Sequence, residues 1–273
     1  MINKIAISIQ DALAQVKDCS TVLIGGFGTA GIPNELIDGL IEQGARDLTV
    51  VNNNAGNGDT GLAALLKTGR VKKIICSFPR QTDSHVFDEL FRSKKIELEL
   101  VPQGNLAERL RAAGAGIGAF FTPTGFGTEL AKNQDGSPKE TRVISGKSYV
   151  LEYPIYGDVA LIKAESGDRW GNLIYRKAAR NFGPVMATAA QFTVATVHEI
   201  VPLGSIDPET KELKSTSNFV KNFTGLAAWN IFSLAYIITG FDSFKTGLIE
   251  YFRFPFNVFN SLNTNAIYNS IKG

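Results

Sequence analysis

This sequence predicts an α/β fold with a mostly parallel sheet, helices on both faces, a more strand-rich second half and an atypical C-terminal tail. Short apolar runs alternate with segments in which apolar residues recur at i, i+3 and i+4, which is typical of strands and helices in rotation. The chain has 273 residues, 44% of them hydrophobic. That is enough to fill the core of one large domain or two small ones.

The first half of the chain carries this alternation most clearly. Strands are predicted at residues 21–24, 48–51, 71–76 and 96–101. Helical spacing lies between them, at Leu36, Ile37, Leu40 and Ile41 and again at Val86, Phe87, Leu90 and Phe91. A strict rotation of strand and helix predicts βαβ units over residues 1 to about 115.

From Thr122 onward the pattern becomes richer in strands. Apolar or alternating runs predict strands near residues 142–144, 149–152, 159–163 and 192–197. We expect these strands to share one core with the first half. The stretch DRWGN predicts a turn between two strands, with Trp170 packed beneath it.

Charge and cysteine content argue against several function classes. The formal net charge is +2, from 28 Lys and Arg against 26 Asp and Glu. The two signs are interspersed, so no nucleic-acid partner is expected. Cys19 and Cys76 have no Cys or His at metal-ligand spacing, which predicts buried, reduced thiols and no metal site. The first 16 residues show amphipathic helical spacing rather than a signal peptide's apolar core, so we expect a cytoplasmic protein.

The stretch LIGGFGTAGIPNEL, residues 23–36, joins a predicted buried strand to a predicted helix. Pro33 suits the first helical position and Glu35 lies in the first turn, so the glycines would present backbone N–H groups at the positive end of a helix. Glycine also lets a ligand approach the main chain closely. The stretch therefore predicts an anion or oxyanion site, and a tight crossover that binds nothing is the alternative.

Gly26 to Gly31 also match G-x-G-x-x-G, the phosphate-binding turn of dinucleotide-binding folds. That motif requires an Asp or Glu at the end of the next strand to bind a ribose hydroxyl. Here the next strand ends at Asn52, Asn53 and Asn54. A dinucleotide-binding oxidoreductase stays as an alternative, with half of its motif missing.

Five blocks of sequence, taken together, carry a resemblance to a known family. In chain order they are GGFGTAGIPNELIDGL, NNAGNGD, SFPRQTDSHVFDEL, ELVPQGNLAERLRAAGAGIGAFFTPTGFGT and GDRWGNLIYRKAARNFGP. They resemble the A-type chain of the family I CoA-transferases, the 3-oxoacid and 3-oxoadipate type. The resemblance runs from Asn3 to about Pro208, and the third block looks more like the 3-oxoadipate enzymes than the acetoacetate ones.

The resemblance implies one half of a two-chain enzyme that moves CoA from an acid, typically succinate, to a 3-oxo acid. In that family a glutamate attacks the acyl-CoA thioester, and the exchange passes through a glutamyl-CoA intermediate. The family carries this glutamate in a Ser-Glu-Asn-Gly motif on its B-type chain, and no Glu of this chain is followed by Asn. We therefore expect a hetero-oligomer with a B-type CoA-transferase chain. CoA is expected as a substrate rather than a permanently bound cofactor, and the chain alone should be inactive.

The same resemblance implies which residues lie near the reaction. The family's CoA contact maps onto the glycine turn, namely Gly25, Gly26, Phe27, Gly28, Thr29, Ala30 and Gly31. Its polar positions near the catalytic glutamate map onto Asn53, Asn54 and Gln103. Amides suit this place because they hydrogen-bond an oxygen without adding a charge. Turn chemistry after a strand is the alternative role for the asparagines.

Residues 211–273 depart from the family pattern. They are rich in Asn and Ser and hold half of the chain's 18 phenylalanines. We predict an A-type CoA-transferase domain over residues 1–210 and an atypical tail over 211–273, for which a shifted reading frame is one hypothesis. The apolar stretch 226–241 is shorter than the roughly 20 residues that span a bilayer, so no membrane segment is expected. A non-catalytic relic disabled by its tail is a further alternative.

Overall fold

The computed structural model describes residues 3–206 and 215–216, and the elements are counted within those residues. Its helices are α1 (Ile9–Leu13), α2 (Asn34–Gln43), α3 (Leu62–Lys67), α4 (His85–Arg92), α5 (Gln103–Gly114) and α6 (Gly183–Ala189). Its strands are β1 (Thr21–Ile24), β2 (Leu48–Val51), β3 (Val71–Cys76), β4 (Glu97–Leu100), β5 (Phe120–Thr122), β6 (Thr141–Ile144), β7 (Lys147–Glu152), β8 (Gly157–Gly167), β9 (Asn172–Ile174), β10 (Ala190–Ile200) and β11 (Ser215–Thr216). The predicted tail over 211–273 and the apolar stretch 226–241 lie outside the described residues, apart from β11.

The main sheet is parallel over most of its width, as predicted. β1 lies between β8 and β2, and β3 and β4 follow β2, all as parallel pairs. β10 runs parallel to β8, while β9 and β11 add antiparallel pairs. Successive strands from β1 to β4 extend the sheet in one direction, and β8 and β10 extend it in the other. The strand order therefore reverses at β1 and β8, where ligands commonly bind beyond the carboxyl ends of the strands.

Helices cover both faces of this sheet, which confirms the predicted layer arrangement. In β1, Val22 and Ile24 pack into a core with α1, α2, α3 and α4, whereas Leu23 packs into a second core with α5 and α6. Successive side chains of a strand point to opposite faces. A strand buried on both faces reads as a continuous apolar run, which explains why β1 and β2 were predictable.

The second half is strand-rich, but its strands do not all join the main sheet. β8, β9 and β10 do so, whereas β5, β7 and β6 form a separate antiparallel sheet. The expectation of one shared core is therefore wrong for this small sheet. All four residues of β6 are exposed, since Thr141 and Arg142 interrupt the apolar run that a buried strand would need.

The helical spacing of the first 16 residues yields a helix at Ile9–Leu13, which Ser8 caps by accepting a hydrogen bond from the Asp11 N–H, and Ile7 before it is 96% exposed. Two local predictions from the sequence are wrong. Trp170 is 46% exposed rather than packed beneath its turn. The turn is held instead by the Asp168 carboxylate, which accepts hydrogen bonds from the Trp170 and Asn172 N–H groups. Cys19 is exposed, in a turn with φ 65°.

No helix within residues 3–206 and 215–216 combines the length and the apolar character that a bilayer crossing requires.

The two cysteines are expected to differ in reactivity at pH 8. Burial raises the pKa of the Cys76 thiol to about 12, so only about one part in ten thousand is thiolate, the form that reacts. Cys19 is exposed. An aromatic disulfide reagent should therefore titrate one thiol quickly in the folded protein and the second only after denaturation. Cys19→Ser is the control, with no fast thiol; two fast thiols in the wild-type chain would contradict the buried position of Cys76.

Candidate functional site

The glycine turn connects β1 to α2 at the carboxyl edge of the main sheet. Phe27 and Ala30 exchange two backbone hydrogen bonds of 3.0 Å and close it into a tight loop. Gly31 has φ +71°, and a Cβ there would collide with the carbonyl oxygen of Ala179. Glycine at this position is thus required both by the backbone conformation and by the close approach of another chain segment.

Several backbone donors of this turn are left without an intramolecular partner. Among the described residues, no acceptor takes the N–H groups of Gly28, Thr29 or Gly31. The start of α2 is different, because the N–H groups of Asn34, Leu36 and Ile37 already donate to the carbonyls before the helix. The backbone N–H of Glu35 also donates to the Glu35 carboxylate, and this bond is the main cause that holds the pKa of that carboxyl below its ordinary value. The donors available to an anion therefore belong to the turn rather than to the helix end.

Asn181, in the second half of the chain, forms hydrogen bonds with two residues of the glycine turn. Its Oδ1 accepts from the Gly26 N–H at 3.0 Å, and its Nδ2 donates to the carbonyl of Ala30 at 3.0 Å. Asn181 is buried and lies 155 residues from Gly26. Sequence reasoning missed this residue, although it lies in the fifth block of the resemblance.

The side chains of two of the three asparagines after β2 form hydrogen bonds to nearby backbone groups. Asn52 Nδ2 donates to the carbonyl of Ile24 at 2.7 Å and so ties the end of β2 to the end of β1. Asn54 Oδ1 accepts from the Gly56 N–H at 2.9 Å, and its Nδ2 reaches the carbonyl of Gly28 at 3.4 Å. The predicted site residue Asn54 thus hydrogen-bonds to the glycine turn through Gly28. Asn52, which was not predicted as a site residue, hydrogen-bonds to the end of β1 just before that turn.

Asn53 is arranged differently, because its side chain receives bonds from two other elements. Its Oδ1 accepts from Ser77 Oγ at 2.7 Å and from Gln103 Nε2 at 2.8 Å. Since the oxygen accepts both bonds, the Nδ2 group is left as a donor, and among the described residues no acceptor takes it. Asn53 is only 2% exposed. The structure therefore brings the predicted pair Asn53 and Gln103 into direct contact.

The resulting site is electrically neutral at its centre. Within the described residues, none of the hydrogen bonds of Asn53 involves a charged group. Charged side chains lie beside the turn instead, where a cavity of about 180 Å³ is lined by Gly31, Lys163, Glu165, Arg176 and His198. Unpaired neutral donors of this kind stabilise a negative oxygen without fixing a counter-charge in place.

Other candidate side chains lie apart from this centre. Arg80 pairs with Asp88, and His85 bonds Asp83, whose hydrogen bond raises the pKa of the imidazole. These side chains are largely exposed, and the His85 partners are aspartates rather than a serine or thiol nucleophile. Across residues 3–206 and 215–216, no three His, Cys, Asp or Glu side chains are grouped as a metal ion would require.

Comparison with known proteins identifies similar chains. A family model described as coenzyme A transferase matches residues 6–217. The chain is 65% identical over 209 residues to the A-type chain of 3-oxoadipate CoA-transferase from Pseudomonas putida, covering 77% of this chain and 88% of that one. It is 48% identical over 207 residues to the A-type chain of succinyl-CoA:3-ketoacid coenzyme A transferase from Helicobacter pylori strain J99, covering 76% and 86%. Among solved structures, glutaconate coenzyme A-transferase from Acidaminococcus fermentans matches with a TM-score of 0.61 and 25% identity, covering 72% and 68%.

The close approach at Gly31 gives a matched pair of substitutions. Gly31 and Gly69 have φ of +71° and +70°, but nothing lies within 4 Å of a Cβ at Gly69. Gly69→Ala should cost about 1–2 kcal/mol of unfolding free energy for the left-handed backbone. Gly31→Ala should cost about 1–3 kcal/mol more, because the new methyl displaces the segment at Ala179. Urea unfolding measures both, and equal losses would show that the turn is not packed as described.

Proposed function

The chain belongs to the coenzyme A transferase family, and we propose that it is the A-type half of a two-chain enzyme that transfers CoA from succinyl-CoA to a 3-oxo acid. We propose 3-oxoadipate rather than acetoacetate as the preferred acceptor. The support is the identity of 65% to a chain named for 3-oxoadipate, against 48% to one named for a 3-ketoacid.

The proposed reaction uses a glutamate carboxylate of the partner chain as nucleophile. The carboxylate attacks the thioester carbonyl of succinyl-CoA, the C–S bond breaks, and a mixed anhydride and CoA thiolate form. The thiolate then attacks the glutamyl carbonyl, which releases succinate and leaves a glutamyl-CoA thioester. The 3-oxo acid carboxylate reverses both steps, so 3-oxoacyl-CoA leaves and the glutamate is regenerated. No oxidant or reductant is needed.

This chain would supply the neutral donors for that sequence. Each attack on a carbonyl places negative charge on an oxygen, and preorganised N–H groups stabilise such an oxyanion. The observation that carries the proposal is the Asn53 side chain, whose Oδ1 accepts from Ser77 and Gln103 while its Nδ2, like three N–H groups of the glycine turn, has no acceptor among the described residues. A neutral donor leaves the partner's carboxylate ionised and nucleophilic, whereas a cation there would pair with it.

A partner surface at this edge is supported by two exposed aromatic rings. Phe27 in the turn is 46% exposed and Phe78, just after β3, is 58% exposed. Phe78 donates its N–H to the Asn53 carbonyl at 2.9 Å, and Phe27 precedes Gly28, whose carbonyl accepts from Asn54 Nδ2 at 3.4 Å. Aromatic side chains are enriched at protein interfaces. We propose that the glutamate-bearing chain docks here, in a hetero-oligomer of the cytoplasm, with residues 1–210 as the CoA-transferase domain.

The dinucleotide alternative receives no support from the end of β2. The side chain that would have to bind a ribose is Asn52, which is fully buried and donates to the Ile24 carbonyl. The alternative of a relic disabled by its tail depends on residues 211–273, which the structure does not describe beyond β11. Chains ending at residue 217, where the family match stops, test it in the assay below.

The test is a transfer assay with and without the partner. The chain should be co-expressed with a B-type chain, and formation of 3-oxoadipyl-CoA from succinyl-CoA measured beside the isolated chain. We expect transfer only by the pair, and faster with 3-oxoadipate than with acetoacetate. Transfer by the isolated chain, or none by a stable pair whether full-length or ended at residue 217, would contradict the proposal.

Asn53→Asp tests the neutral donor directly. The aspartate keeps an acceptor for Ser77 and Gln103 but removes the donor and adds a negative charge beside the reacting carboxylate. We expect kcat of the pair to fall by a factor on the order of 10² to 10³, as when one oxyanion donor is lost. Asn133→Asp, the same change in an exposed turn, is the control and should leave kcat unchanged. An Asn53→Asp pair with normal kcat would exclude Asn53 from the site.

A further inference from the structure

A network of ion pairs connects α5 to β7 and to the main sheet. Its centre is Glu152 at the end of β7, which is 4% exposed. Lys139 Nζ lies 2.7 Å from Glu152 Oε1, and Arg109 Nε lies 3.8 Å from Oε2. Arg109 also pairs with Glu99 at 2.9 Å, and Glu99 with Lys73 at 2.6 Å. We call these five side chains the Glu152 network.

The network joins β7 to one face of α5. Asn105 Nδ2 donates to Glu152 Oε1 at 3.4 Å, and Arg109 Nε donates to the carbonyl of Tyr153 at 2.7 Å. The N–H of Ile155 donates to the carbonyl of Arg109 at 3.1 Å. Asn105 and Arg109 are four residues apart and so lie on the same face of the helix. Three bonds at defined atoms therefore connect this face of α5 to residues 152–155, in addition to the packing of α5 in the core.

The first residue of α5 is Gln103, two positions before Asn105. Pro102 precedes it as the N-cap and makes no side-chain capping bond. Gln103 donates to Asn53 Oδ1 at 2.8 Å, and that bond decides which end of the Asn53 amide is left as a donor. A small rotation of α5 would move Gln103 away from Asn53.

We propose that Glu152 is a positioning residue for the reaction, which acts through α5 and Gln103 to hold the Asn53 amide with its oxygen bonded and its Nδ2 left as a donor. This rests on the proposed function. Burying carboxylates is costly unless ion pairs and hydrogen bonds compensate, and Glu152 and Glu99 are compensated by three cations and by Asn105. Although burial raises the pKa of Glu99, hydrogen bonds from Lys73 and Arg109 hold it below its ordinary value, so this part of the network is ionised at neutral pH.

Directional contacts give the network a role that apolar packing would not fill. Apolar contacts lack direction, so a helix packed only through them tolerates small rotations. Ion pairs and hydrogen bonds at defined atoms select one orientation. The alternative is that Glu152 only attaches β7 and the small sheet to the main body.

A double-mutant cycle separates these two roles. Glu152→Gln, Gln103→Ala and the double variant are prepared as complexes with the B-type chain, and kcat and KM are measured with succinyl-CoA and 3-oxoadipate. If Glu152 acts through Gln103, Glu152→Gln should lower kcat roughly tenfold, with KM changed less than about twofold. In the Gln103→Ala background the same change should lower kcat less than about twofold.

The controls separate positioning from loss of stability. Glu108→Gln is the same substitution on α5, at a carboxylate that pairs with Arg111 in its own helix, and it should leave kcat unchanged. Leu13→Ala opens the core beneath α1 and lowers stability without touching α5, so kcat per folded complex should also be unchanged. If Glu152→Gln does not assemble, Asn105→Ala replaces it in the cycle, because Glu152 then keeps its pair with Lys139.

Three outcomes would count against the inference or its premise. If the losses of kcat caused by Glu152→Gln and Gln103→Ala multiply in the double variant, the two residues act independently. If Glu152→Gln leaves kcat unchanged, Glu152 has no positioning role. Neither outcome contradicts the proposed function. No transfer by the wild-type pair would refute the proposed function itself, and the inference would fall with it.

Discussion

The side-chain oxygen of Asn53 accepts one hydrogen bond from Ser77 and one from Gln103, and the chemistry that we propose for the site depends on that arrangement. Asn53 lies after β2, Ser77 lies after β3, and Gln103 is the first residue of α5. They meet because parallel strands deliver their carboxyl ends to one edge of the sheet. An amide whose oxygen is occupied twice presents a neutral donor, and the cost of reorienting it has been met during folding rather than during the reaction.

The second component of the site depends on contacts between distant parts of the chain. Asn181, which precedes α6, bonds both Gly26 and Ala30 across more than 150 residues of sequence. Its segment also approaches Gly31 so closely that no side chain fits. The glycine turn is therefore shaped by the second half of the chain, and the two halves together leave the N–H groups of Gly28 and Thr29 without acceptors among the described residues. Site and fold are therefore coupled through the segment that holds Ala179 and Asn181, in addition to the turn's own backbone bonds.

Sequence alone was informative where the signal is local. Apolar runs located the strands from β1 to β4 within a residue at each end, because β1, β2 and most of β3 are buried, while β4 at the edge of the sheet keeps two leucines in alternation with glutamates. Asn53 and Gln103 were located by resemblance, and their contact follows from the strand order. By contrast, Asn181, Ser77 and Glu152 contact residues that lie 13 to 155 positions away in the chain, for which no local pattern exists. The predicted burial of Cys19 and Trp170 was wrong. Their residue types favour burial, but each lies in a turn that exposes its side chain.

The most direct test of a neutral site that serves another chain's nucleophile is to find where CoA becomes covalently attached. The assembled pair can be incubated with succinyl-CoA, quenched in acid and digested, and each peptide searched by mass spectrometry for the mass added by CoA. We expect the adduct on a glutamate of the B-type chain and none on this chain. An adduct on any residue of this chain would show that it carries the nucleophile itself, and that Asn53 and the glycine turn are not a supporting surface.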